Sequence, residues 1–571
     1  MSVKQPHSFF TLILALALVG SALARDKPGE TDKRTVLMQA MMDELQRSKQ
    51  QLKMPDYDLP YFIAFEMKDD SGHHIHARYG SVFKSDEDRT RRLRTEVRVG
   101  SYAFDNVGSK KSDFSFSYSP SFRPSTTGPI DDDVKSLRTT LWLMTDDDYK
   151  EALQAYMKHK GGKVTEVEKA PIDSFSKEAP QVYSDPPLKF TFQKDRWEAV
   201  ARVASAAFQN HPEVFDSYVN IDGAKEMRIF VNSEGSRILT ERSVYSFSIQ
   251  GQTRAPDGMI LSVQKTVYVH DEGRLPSAKE ATAIAQQIAR NLEALRLAPV
   301  LEPFTGPAIL DGEATGVLFH EVIGHRLEGE RQLDDEEGKT FKGQVGKPII
   351  PEFLTLVDDP SLKQLNGITL NGYYRFDDEG VAARRVFLIK DGLLKEFLTS
   401  RTPVEGITRS NGHGRSAPGE KPRARMGNTI VQSSRMVPYA LLKQLLLEEI
   451  KKQNKPYGLI IRNITGGSTQ TSSWGYQAYK GMPEMVYRVY PDGREELVRG
   501  VEIVGTPIAS INKIVATSDN ISIFNGYCGA ESGYVPVSAS APDVLMSEIE
   551  LQRTLKKTEK GPILPSPWAK K

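Results

Sequence analysis

Cysteine is almost missing from this chain: Cys528 is the single one in 571 residues. One thiol forms no internal disulfide, so no covalent framework holds the fold. An excess of charge of one sign is missing too. Lysine plus arginine (75) nearly cancels aspartate plus glutamate (74), for a formal net charge of +1, and composition carries no nucleic-acid footprint. Long apolar runs are also absent. The stretch Phe9 to Val19 is short for a membrane span of about 20 residues, and no later segment looks transmembrane. No short-period repeat is visible. What remains is an ordinary globular balance, 39% hydrophobic and 26% charged, with length for more than one core.

Lys4 and His7 precede the apolar stretch, and Ala22-Leu23-Ala24 supplies the small-x-small pattern of a signal-peptidase cut. Residues 1–24 are therefore expected to be a signal peptide. The mature chain would begin near Arg25 and be exported, to the periplasm or outside the cell, with an uncleaved signal anchor as the alternative. An oxidising compartment normally favours paired cysteines. Metal coordination would keep a lone thiol there from oxidation.

The run His320-Glu321-Val322-Ile323-Gly324-His325 concentrates chemistry. Neutral imidazole is the commonest protein ligand for zinc, and a neighbouring carboxylate can take a proton from an activated water. The spacing is unusual. Zinc peptidase histidines usually lie four apart on one helix face, whereas these lie five apart. At about 100° per residue, five steps carry the second ring roughly 140° around a straight helix. Both rings meet one ion only if the turn is irregular. A wide π-type turn would reduce the offset, and Gly324 supplies local backbone freedom. The apolar flanks, Gly316 to Phe319 and Leu327, suit a dry metal pocket and an ordinary core helix equally.

Cys528 sits in the glycine-flanked stretch Asn525-Gly526-Tyr527-Cys528-Gly529-Ala530, where backbone can approach a bound group. Two histidines and one thiolate would leave a fourth tetrahedral position open, as catalytic zinc sites require. A buried, inert thiol is the other account of the same residue.

Several segments together resemble the TldD/PmbA metallopeptidases, specifically the metal-bearing TldD type. They are Gly316 to Gly329 with its Leu327-Glu328-Gly329 tail, Phe376-Asp377-Asp378-Glu379-Gly380, Pro422 to Thr429, Gly466-Gly467, and Cys528-Gly529 followed by Val535-Pro536-Val537. Their order agrees, and the resemblance covers roughly residues 300 to 552. It implies His320, His325 and Cys528 as zinc ligands and Glu321 as general base. It also implies a dimer enclosing clefts open to small or unfolded peptides. The signal sequence and a longer N-terminal half depart from the cytosolic pattern. A homodimer is accordingly expected, with a TldD/TldE-like heterodimer as the alternative.

The pattern along the chain predicts an α+β protein of two domains. The N-terminal α+β domain would span 25–299 and a largely antiparallel β catalytic domain 300–556, followed by a basic mobile tail, 557–571. Helices are expected over Thr31–Leu52, Asp146–His159, Arg196–Gln209, Ala278–Ala294 and Tyr439–Gln453. The second is placed by the cluster Asp146-Asp147-Asp148, which suits a helix N-terminus. Strands are expected over 61–65, 92–102, 217–220, 228–231, 237–249 and 259–269. Beyond Pro299 they are expected over 368–374, 385–389, 459–464, 485–489 and 511–517. Ala170 to Leu188 reads as a connector.

Other clusters point to less. His74 and His76 share a strand face from which His73 points away, and no further ligand completes a metal site, so these residues read as a solvated strand or hairpin. Asp334 to Glu337 lacks calcium-loop spacing and reads as an exposed acidic loop. Ser410 to Arg415 reads as a flexible loop that would line a substrate channel. His413 in that loop and Tyr527 beside Cys528 are candidates for substrate binding or for the oxyanion donor. The function expected is zinc-dependent hydrolysis of peptides, without nucleic acid and without a stable membrane span once the signal is cut. Two alternatives stand beside it: a non-catalytic exported binding or scaffold protein of the same fold, and a metal-dependent hydrolase of other amides.

Overall fold

The computed structural model describes residues 32–107, 126–162, 172–334, 337, 339–473, 478–554, 564 and 566–568. The expected signal peptide, all but four residues of the tail, and Asp335 and Glu336 lie outside these. No helix among the described residues is long and apolar enough to cross a membrane.

Helix α1 (Lys33–Gln51) begins at Asp32, whose side chain accepts a hydrogen bond from the Arg34 amide. Leu37, Met41 and Leu45, four apart, turn one face into the core. A long hairpin follows, β1 (Pro60–Arg78) and β2 (Ser81–Val99). Within β1 the sequence marks residues 61–65 as a strand and the stretch around His74 as a strand or hairpin. β1 continues for 19 residues because it is paired on both sides, with β2 and with β4 (Val214–Asn232), and neighbours serve its polar half. His74, for instance, lies 2.9 Å from Asp222 and 3.0 Å from Asp88. The histidine cluster is thus part of a hairpin.

Helix α2 (Val134–Gly162) starts twelve residues earlier than expected. The aspartate that caps it is Asp133, which accepts from the Ser136 amide at 2.7 Å. The helix N-terminus is thus served by an aspartate, but by Asp133 and not by the cluster at 146–148. Asp146 to Asp148 lie in mid-helix, and Asp148 accepts a hydrogen bond from the Thr95 hydroxyl at 2.6 Å. Inside the expected connector, β3 (Val182–Ser184) pairs parallel to β5 (Arg237–Arg254). The stretches 217–220 and 228–231 are one strand, β4. With β6 (Ile260–Val269) on the far side of β5, these strands form one sheet. Helix α3 (Lys194–Ala206) and helix α4 (Ala278–Leu297) pack on it, α4 opening with a Ser277/Glu280 capping box.

A second sheet begins at β7 (Phe304–Leu310) and helix α5 (Gly312–Phe319). Its other strands are β8 (Leu354–Asp358), β9 (Val386–Lys390), β10 (Asn428–Ser433), β11 (Gly458–Thr469), β12 (Tyr479–Val489), β13 (Glu495–Val498), β14 (Val501–Gly505), β15 (Ile514–Ala530) and β16 (Gly533–Arg553), with α6 (Tyr439–Lys452) outside. Pairing is mostly antiparallel. The path β16, β14, β12, β11, β7 returns to β16, closing a ring of five strands. Within the expected strand 368–374 only Ile368 and Thr369 pair, while the one foreseen at 511–517 extends to Ala530. The two sheets, with helices on their faces, make the α+β fold.

Candidate metal centre

Helix α5 points at the site. Asp311 caps its start by accepting from the Ala314 amide, and burial pushes that carboxyl up to about 6. The helix is buried along almost its whole length and packs on β16, β15 and β11. At its end the backbone widens: His320–Gly324 is a π-helical turn, closed by the His325 amide donating to the His320 carbonyl. Five residues therefore nearly complete one turn, and the ring centroids of His320 and His325 lie 5.1 Å apart.

Gly324 permits this for a reason other than the expected one. Its backbone is helical, with φ of −54°. What matters is space, because a Cβ there would lie 2.1 Å from Sδ of buried Met426. Gly467 does the same for the acid, since a Cβ on it would lie 2.8 Å from Cγ of Glu321. Of the Gly466-Gly467 pair in the sequence, Gly467 thus makes room for the candidate base.

Cys528 arrives on β15. Its Sγ lies 3.3 Å from Nε2 of His325, and the ligand atoms of His320, His325 and Cys528 all lie within 4.8 Å of one another. All three side chains are buried. Burial alone would raise the thiol's pKa, but the imidazoles of His325 and His320 outweigh it and hold the group well below its usual range. Arg425 adds a hydrogen bond from Nη2 to Sγ at 3.1 Å and a second to the Cys528 carbonyl at 2.7 Å. Two imidazoles and a sulfur biased to thiolate are the donor set of a zinc-class ion. The residues present fit such an ion.

Around the three candidate ligands stand groups whose roles the sequence did not show. Glu328, 2% exposed, lies 3.1 Å from Nδ1 of His325 and leaves Nε2 to face the sulfur. Burial would raise the carboxyl of Glu328, yet His325, Arg331 and Arg425 together hold it far below the usual carboxylate range. Arg326 donates to the carbonyls of Glu321 and Val322 at 3.2 and 3.0 Å, serving the oxygens of the widened turn, and reaches the end of β11 at Thr469. The partners named here lie 3 to 143 residues away in sequence, and spacing alone does not show which of these charges are buried.

Glu321 faces a cleft of about 1120 Å³ lined by β6, the end of β11 and the β15–β16 hairpin. One carboxylate oxygen lies 3.9 Å from Nε2 of His325. His320, His325, Cys528 and Glu321 are thus brought together. His413 is not among them. It is fully buried, 3.0 Å from Asn411 and 3.2 Å from Asp358, and lines no part of the cleft. The stretch Ser410 to Arg415 is correspondingly no flexible channel loop. Its last two residues pair with Arg423 and Ala424, and all six are buried. Tyr527 does line the cleft, but strand alternation turns it to the face opposite Cys528. Of the acidic loop, Glu337 pairs with Arg331 at 2.7 Å.

Residues 304–553 match the family described as PmbA/TldA metallopeptidase C-terminal domain. A metalloprotease of Archaeoglobus fulgidus is 30% identical over 253 residues, 44% of this chain and 54% of that protein, so the chain spans about half the length of that curated relative. A zinc metalloprotease TldD homolog of Saccharolobus solfataricus is 26% identical over 63% of this chain and 76% of its own length. Among solved structures, TldE from Thermococcus kodakarensis aligns with a TM-score of 0.57 at 12% identity, over 90% of this chain and all of that one, a likeness of fold.

Proposed function

We propose, for a chain that belongs to the TldD/PmbA metallopeptidase family through residues 304–553, the activity of a zinc-dependent peptidase acting on small or unfolded peptides. The observation that carries this reading is the convergence of His320, His325 and Cys528 with Glu321 beside them on the cleft. Those three side chains would hold the ion, which when bound supplies Lewis-acid polarisation of the scissile carbonyl and a water of lowered pKa. Glu321 takes the proton of the attacking water on its carboxylate and returns it to the leaving amine nitrogen. Glu328 keeps the His325 ring oriented through Nδ1. Arg326 fixes the turn that carries the base.

A strand edge supports a peptide as substrate. Among the described residues β6 pairs only with β5. The Gln264 amide donates outward to Glu484 at 2.7 Å, so by alternation Thr266 and Tyr268 also turn their amides and carbonyls outward, and both line the cleft. An extended peptide can add there as a further strand, its backbone hydrogen-bonded whatever its side chains. Folded proteins offer few such segments.

Export of a mature chain from near Arg25, and a homodimer with the TldD/TldE-like heterodimer as alternative, complete the proposal. Sedimentation of the mature chain separates the two assemblies. For the activity, digestion of a diverse peptide library should give products with the loaded protein and none after chelation. Equal products with and without chelator would refute the metal-dependent reading.

A further inference from the structure

Behind the Cys528 strand lies a second chamber, about 570 Å³, that the catalytic chemistry does not use. One wall is a face of the N-terminal sheet. There Lys68 stands opposite Arg228 and Asp70 opposite Glu226 across β1 and β4, and Glu226 stands opposite Arg242 on β5. Lys363, Arg375 and Ser416 of the C-terminal part form another wall. The third is the β15–β16 hairpin. Cys528 and its partner Val535 take one face, Tyr527 and Tyr534 the other, and these two tyrosines line both the cleft and the chamber. One strand's thickness separates the chamber from Cys528.

Most of its charges are already matched. Lys68 lies 2.8 Å from Asp378, Arg228 lies 2.6 Å from Glu66, and Arg242 pairs with Glu226. Among the described residues, buried Arg415 bonds only the carbonyls of Met426 and Pro536, and three further charges bond nothing. Among the described residues Asp70 makes no side-chain hydrogen bond or ion pair, and neither Lys363 nor Arg375 has a carboxylate partner. These two cations lie 5.1 and 4.6 Å from the ring centroids of Tyr373 and Tyr183. Two buried polar atoms, Ser416 Oγ and Arg228 Nη2, also lack a hydrogen-bond partner. Burial, and next the charge of Glu226, push the Asp70 carboxyl up to about 7. Burial and Arg242 push His270 down to about 4, so that ring is neutral.

A part-buried carboxylate with cations nearby, here Lys68 and Arg242, but none in direct contact is costly unless one joins it. We propose that this chamber binds a short zwitterionic peptide of two or three residues, with its ammonium on Asp70 and Glu226 and its terminal carboxylate on Lys363 and Arg375. The volume lies within the roughly 300–1,000 Å³ of small-ligand sites. A single amino acid carries both charges on one Cα, whereas each added residue separates them by about 3.5 Å more and lets them reach different walls. That the occupant is a cleavage product rests on the peptidase reading. The binding itself does not.

The test is calorimetric titration of alanyl-alanine, its N-acetyl derivative and its C-terminal amide into full-length Glu321→Gln protein, which does not consume the probe. Saturable binding of the free dipeptide is expected, with each blocked derivative at least tenfold weaker. Asp70→Asn, or Lys363→Ala at an exposed loop position, should weaken the dipeptide at least tenfold, and Cys528→Ser should leave it unchanged. Absence of saturation, equal binding of the blocked derivatives, or loss of binding in Cys528→Ser but not in Asp70→Asn would overturn the proposal. Failure of the peptidase reading shows separately, as an uncleaved peptide library beside intact dipeptide binding.

Discussion

Glu328 and His325 are joined at 3.1 Å, carboxylate to Nδ1, with both side chains buried and Arg331 closing on the same carboxylate oxygen at 2.9 Å. Such a contact fixes a ligand's tautomer and angle, and removing it typically costs 10–100-fold in metal affinity. Glu328→Gln keeps the shape and deletes the charge. Competition with a chromophoric chelator should show zinc bound about tenfold more weakly. Unchanged affinity would mean that the contact does not position the ring.

Glu321 stands beside the ligand set without belonging to it. Glu321→Gln should therefore keep near-normal zinc by elemental analysis and lose peptide cleavage. Retained turnover would remove the residue from its proton-transfer role.

Gly324 gives way to Met426 at the π turn. Gly324→Ala should destabilise the protein by about 1–3 kcal/mol, as overpacking does, and lower its zinc content. In a Met426→Ala background the same substitution should cost less, because the atom it meets is gone. Thermal melts of the four proteins give the comparison, and simple additivity would contradict the steric account.

Asp148 is held up to about 6, mainly by burial and in spite of the Thr95 hydrogen bond. A carboxyl whose folded pKa exceeds its unfolded value binds more protons when folded, so its contribution to stability is full below about pH 4 and is lost as pH rises to about 6. Asp148→Asn removes this dependence. Relative to the variant, the wild type should lose on the order of 2 kcal/mol between pH 4 and pH 7. A difference that stays flat over that range would show that the group titrates normally.

How much of this was legible in the sequence varied with the range of the interaction. Five-residue spacing demanded an irregular turn, and the π turn at His320–Gly324 answers that demand, because ligand geometry constrains the backbone locally. The long reach of Cys528 became legible only through resemblance, since nothing near residue 528 names residue 320. Glu328 and Arg326 lie within five residues of groups they serve, but local spacing does not tell a buried charge from an exposed one, and Arg425 meets Cys528 only through the fold. Strand limits failed where pairing overrode pattern, as in β1, whose polar half is held between two neighbours. His413 was misplaced because glycine and polar neighbours suggested exposure, whereas Asp358 and Asn411 bind it inside.

The central claim is that Cys528 shares one cation with His320 and His325, and the absorption spectrum of the cobalt(II)-loaded protein tests it most directly. A thiolate-to-cobalt charge-transfer band is expected in the wild type, absent from Cys528→Ser and weakened in His320→Ala and His325→Ala. A stoichiometrically loaded wild-type protein without that band, or a band that survives Cys528→Ser, would contradict the claim.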